Sequence, residues 1–176
     1  MKEYFDTLTY PVLTRNFTTR KVNPADTFCP TDPVTLEIIR ANLSKIKTGE
    51  FVFGRSEAVM AKYLDFISTN KQNGTKVAQI LSEEMNGSKI QLKPNKFPYF
   101  LSHDLHHFLL CIKEGVPLAA AQIYLASHLQ KAGIRPHEVY AWENPKFYRS
   151  APEIVHFQVV FRFPQQFNPT LTGRIY

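Results

Sequence analysis

The hydrophobic period changes halfway along this chain, and that change bounds the fold. Between residues 33 and 87 apolar side chains recur every three or four positions, as in Leu36, Ile39, Leu43 and Ile46. Asp32-Pro33 gives this first helix an acidic cap and a first-turn proline, and Gly49 stops it. Ser56 opens a second helix with Val59, Met60, Tyr63, Leu64 and Ile67 on one face. Thr75 opens a third, through Val77, Ile80 and Leu81 to Asn86-Gly87. Beyond it the period falls toward two. Residues 89–93 alternate, 108–112 are a continuous apolar run, and 138–142 and 155–163 are rich in Val, Phe and Tyr. One more helix, from Pro117 to the stop at Gly133, interrupts these strands with Leu118, Ala121, Leu125 and Leu129.

Strand, helix, strand over residues 107–142 is the length of a right-handed βαβ unit. The last two strands, joined through residues 143–153, are expected to pair antiparallel. The prediction is an α/β (α+β) domain over residues 34–165: a helical N-terminal layer on a small mixed sheet of three to five strands. Residues 1–33 hold four prolines, show no helical period and read as an extended arm that could wrap the domain or a partner, or be disordered. Residues 166–176 read as a tail.

Composition narrows the function classes. The 176 residues carry 21 Lys plus Arg against 15 Asp plus Glu, a formal charge of +6, too modest a surplus for a nucleic-acid footprint. The arm balances Lys2, Arg15, Arg20 and Lys21 against Glu3, Asp6, Asp26 and Asp32, so it is not a basic nucleic-acid arm and nucleic acid is an unlikely partner; a protein partner through residues 1–33 is one possibility. Apolar runs fall far short of the roughly 20 residues that cross a bilayer, so no membrane association is expected. Residues 7–25 lack acids and hold several Thr, as in an organelle transit peptide, but Glu3, Asp6 and Pro11 argue against one. Cys29 and Cys111, 82 positions apart and with no CxxC, suit a reducing compartment, and a soluble cytoplasmic protein is expected.

Chemistry-bearing residues cluster in the second half. His103-Asp104-Leu105-His106-His107 could set His103 and His107 one helical turn apart, as in HExxH zinc sites. The segment runs into a strand, where alternating side chains cannot chelate as a helical pair, so no metal site is predicted. His107 and His156 each begin a His-Phe pair on a strand and are the candidate catalytic residues, for a hydrolase or transferase. The phosphate-gripping hydroxyl of two-histidine phosphoesterases is replaced by Leu109 and Gln158. On the last strand His156, Gln158 and Arg162 share a face that could line a ligand cleft or simply meet solvent, with Arg149 a candidate anion clamp. Trp142 could stack on a sugar ring or plug the edge of a core. No GxxxxGK[ST], GxGxxG or GxSxG is present, and no cofactor is predicted.

Four segments occur together in a known family. They are Phe53-Gly54-Arg55-Ser56 with Tyr63; Asn95-Lys96-Phe97-Pro98-Tyr99 followed by His107-Phe108-Leu109-Leu110-Cys111-Ile112-Lys113; Ala141-Trp142-Glu143-Asn144 with Arg149-Ser150; and Ile154-Val155-His156-Phe157-Gln158-Val159. In order and spacing this set resembles the fungal N-acetylglucosamine-induced proteins, over about residues 36 to 164. The chain departs from that pattern at Cys111, Val155 and Gln158, where the family has Trp, Glu and His. The resemblance implies a cytosolic protein of the N-acetylglucosamine response and carries over no catalytic residue. The leading expectation is therefore a protein that binds a small polar ligand, an amino sugar or its phosphate, without strong catalysis. Arg149, Trp142, Asn144, Gln158, Asn95 and Tyr99 are its candidate ligand contacts. The alternatives are an interaction subunit that docks through its arm and an enzyme built on His107 and His156.

Overall fold

The structure, a computed structural model, describes residues 10–16, 29–145, 149 and 154–163. The tail and the rest of the arm lie outside them. Among the described residues three helices come first: α1 (Leu36–Thr48), α2 (Glu57–Gln72) and α3 (Val77–Glu84). Thr35 caps α1 by accepting from the Ile38 amide, and Gly49 closes it in the left-handed conformation, φ 78°. That backbone is open to glycine at little steric cost, which is why the stripe ends there. Strands β1 (Ile90–Pro94) and β2 (Leu105–Ile112) follow, then α4 (Leu118–Lys131), β3 (Val139–Trp142) and β4 (Val155–Arg162).

The strand order is β1-β2-β4-β3 and every neighbouring pair is antiparallel. The α/β class is as expected, but the sheet is not mixed. β2 and β3 do run in the same direction across α4, as a βαβ unit requires; β4 lies between them and pairs with both. The unit is split, and the expected antiparallel pairing of β3 with β4 fills the gap.

Both faces of the sheet are covered. Leu92, Leu110, Phe157, Val159, Val139 and Ala141 pack on one face with Leu125 and Leu129 of α4. Tyr10 and Leu13 complete this core: the Tyr10 hydroxyl donates to the Ile134 carbonyl at 2.7 Å, and the Leu13 amide donates to Gln122. Residues 10–16 of the extended arm thus wrap their own domain. The opposite face meets Leu36, Ile39 and Ile46 of α1, together with Phe53, around Trp142 and Val160. Period two explains the division: His107, Leu109 and Cys111 of β2 and His156, Gln158 and Val160 of β4 point to this second side.

Candidate functional site

On that second side α2 and α3 stand off the sheet and leave a cavity of about 390 Å³. Its helical wall is apolar, with Met60, Leu64, Ile67, Ile80 and Leu81; its sheet wall carries Lys93, Leu109, His156 and Gln158. All six candidate ligand contacts, Arg149, Trp142, Asn144, Gln158, Asn95 and Tyr99, line this one cavity, and so does His156. The polar stripe of β4 does not meet solvent: His156 is 5% exposed and Gln158 4%. Arg162 lies apart from it, paired with Asp104 at 2.6 Å.

Most of these side chains are held by one another. Trp142, Phe53, Tyr99 and His107 form a continuous stack, with successive centroids 5.0, 4.8 and 4.5 Å apart. Phe53 therefore covers a face of Trp142, which is 2% exposed and forms part of the core, not an open sugar platform. Asn144 accepts from the Trp142 indole and donates to the Tyr99 hydroxyl, both at 3.0 Å. Arg149 is similarly engaged. It donates to the carbonyls of Asn144 and Asn16 and pairs at 3.0 Å with Glu143, a carboxylate 1% exposed that also binds Arg15. A buried arginine so compensated is a structural tie and not a vacant anion clamp.

The proton positions around His107 follow from a single backbone group. The Tyr99 amide can only donate, and it lies 3.1 Å from His107 Nδ1. Nδ1 therefore carries the lone pair, and Nε2–H donates to Gln158 Oε1 at 2.7 Å. With its oxygen so occupied, Gln158 leaves its amide NH2 without a partner among the described residues. Asn95 approaches the same nitrogen: its Oδ1 accepts from the Phe97 amide, and its Nδ2 lies 3.3 Å from His107 Nε2, an approach of two donors and not a hydrogen bond. Burial pulls the His107 pKa down to about 4, the nearby Arg55 charge adds to this, and the Gln158 bond opposes it. His107 is a neutral, immobilised group at physiological pH.

The structure does not bring His107 and His156 together. His107 pairs with Val160, and His156 lies four residues further along β4, roughly 13 Å away at the usual strand rise. His156 Nδ1 lies 3.0 Å from the Ile154 carbonyl and so carries the proton; Nε2 has no partner among the described residues. Burial lowers its pKa too, so it presents a lone pair to the cavity it lines. The histidine-rich segment 103–107 enters β2, where successive side chains point to opposite faces, and no group of three or more His, Cys, Asp or Glu is gathered as metal ligands among the described residues.

Arg55 is the contact that sequence reasoning passed over. It lies just before α2 and lines the cavity; Nε donates to the Phe97 carbonyl at 3.1 Å, and the guanidinium lies 4.2 Å from the Tyr63 ring centroid. Among the described residues no carboxylate pairs with it. The signal available was its place in the Phe53-Gly54-Arg55-Ser56 segment. Lys93 and Lys96 also line the cavity, and both pair with Glu84 of α3.

No protein-family model matches this chain, and no curated protein does. A solved structure described as the crystal structure of HTC1 is similar in fold, with a TM-score of 0.57 over 77% of this chain and 89% of that one. At 17% identity that likeness concerns the architecture alone. What these comparisons establish is an α/β fold shared with a solved protein.

Proposed function

We propose that this protein binds a small organic molecule in the cavity between α2, α3 and the sheet, without strong catalysis. The observation that carries the reading is a cavity of about 390 Å³ lined by two otherwise buried β4 residues, Gln158 and His156, whose amide NH2 and Nε2 have no partner among the described residues. Convergent polar groups on an apolar cavity are what a bound small molecule engages. The neutral, doubly engaged His107 and its distance from His156 favour binding over acid–base turnover. The resemblance to N-acetylglucosamine-induced proteins makes an amino sugar or its phosphate the first class to try.

Thermal unfolding against a panel of amino sugars, sugar phosphates, nucleotide sugars and small organic acids tests this. A ligand specific to the folded state adds about 2.7 kcal/mol at a hundredfold excess over its Kd, a rise of several degrees. That shift should disappear in Ile80→Trp, which fills the cavity. A panel that leaves the melting temperature unmoved would refute the reading.

A further inference from the structure

The lining chemistry narrows the ligand beyond that reading, on which this inference rests. Polar capacity is the first constraint. Asn144 is bonded at both ends, Arg149 is tied to Glu143 and two carbonyls, and the Asn95 oxygen is taken by the Phe97 amide. Among the described residues the groups left are the Arg55 guanidinium ends, the Gln158 amide, His156 Nε2, the Tyr63 hydroxyl and Asn95 Nδ2, few and scattered against the apolar wall. A hexose, with a hydroxyl on nearly every carbon, would leave most of its polar groups unmatched against Met60, Leu64, Ile67, Ile80 and Leu81.

Charge is the second constraint. Glu143 compensates Arg149, Glu84 compensates the nearly buried Lys93, and the Lys96 side chain is 63% exposed to water. Among the described residues Arg55 is the lining cation with no carboxylate partner, and because Glu84 serves two lysines and Glu143 two arginines, the lining as a whole keeps a positive surplus that favours an anionic ligand. Arg55 is also suitably placed. It lies 5.5 Å from the Tyr99 ring centroid, Tyr99 stacks on His107, and His107 fixes Gln158 with its NH2 turned away. The planar guanidinium and a primary amide therefore flank the same ring pair, and both are donors suited to a carboxylate.

We propose that the cavity takes a monocarboxylate with an apolar body, its carboxylate held by Arg55 and the Gln158 amide and its hydrocarbon laid against α2 and α3. Titration calorimetry of the whole chain with 3-phenylpropionate and octanoate, against 3-phenylpropanol and octanol, tests it. Each acid should bind at least tenfold more tightly than its alcohol. Arg55→Gln should erase that difference. The comparison on the unaltered protein stands even if the variant fails to fold. Equal affinity for acid and alcohol overturns the proposal, as does tighter binding of N-acetylglucosamine 6-phosphate than of either acid. In the second case the ligand-binding reading survives and only the ligand class falls; if neither acids, alcohols nor sugar phosphates bind, both fall.

Discussion

His107 makes this protein sensitive to mild acid, and the size of the effect can be worked out in advance. Its ring is buried and neutral, and protonation would pit Nδ1–H against the Tyr99 amide hydrogen. The folded pKa of about 4 lies below the ordinary histidine value of 6.5, so between these values the unfolded chain binds the proton more tightly. The stability this group contributes is complete above the unfolded pKa and is lost as pH falls through that window. The loss amounts to about 2 kcal/mol at pH 5 and about 3 kcal/mol at pH 4. Urea unfolding at pH 7 and pH 5, on the natural chain and on His107→Gln, isolates it, because other histidines and carboxylates cancel in the difference. The natural chain should lose about 2 kcal/mol more than the variant, a midpoint shift of roughly 1 M urea. Equal losses in the two chains would refute the reasoning. So would a native-state NMR titration of the imidazole with a midpoint near 6.5, a measurement that does not require the variant to fold.

Other perturbations have equally definite outcomes. Glu143→Gln leaves Arg149 buried against a neutral partner and should cost about 3–5 kcal/mol in urea unfolding; a loss under 1 kcal/mol would contradict the buried tie. Leu110→Ala, at a fully buried position beneath α4, should cost about 2–5 kcal/mol by the same measurement. Tyr10→Phe removes the bond to the Ile134 carbonyl and should lower stability by about 1 kcal/mol, a test of whether residues 10–16 are fastened to the domain in solution. Burial pushes the Cys111 thiol up to about 11, so at pH 8 one of the two thiols should resist a disulfide reagent until urea unfolds the chain.

Local structure was legible because each signal was local. Gly49 marks the end of α1, but its cap is Thr35, three residues beyond the Asp32 expected, because Pro33 precedes the helix and does not begin it; Pro117 and Gly133 bracket α4. The strands were found by period and composition, except that β2 begins at Leu105 where its apolar run begins only at Phe108. His106 and His107 had disguised its start. Strand order was not legible: the insertion of β4 between β2 and β3 is a pairing choice made at long range, and period two says nothing about neighbours. The candidate contacts converge on one cavity, but their engagement with each other could not be read. Asn144 and Trp142 are only two positions apart, and it takes the fold to bring Tyr99 and Phe53 to them. Arg55 escaped notice because a single basic residue at a helix start has no spacing to betray it, and Glu143 because a lone acid beside a tryptophan resembles any turn residue.

The place of β4 has a consequence for how the chain is made. When residues up to about 150 have left the ribosome, β2 and β3 are both complete, yet neither has its central partner. Each then presents a row of unbonded amides and carbonyls, the kind of edge that recruits strands from other chains. Residues 155–162 close both rows at once and at the same time deliver His156 and Gln158 to the cavity. Closure of the sheet and completion of the cavity wall are a single event that waits on β4, and a chain interrupted before it would be both sticky and without its sheet-side contacts.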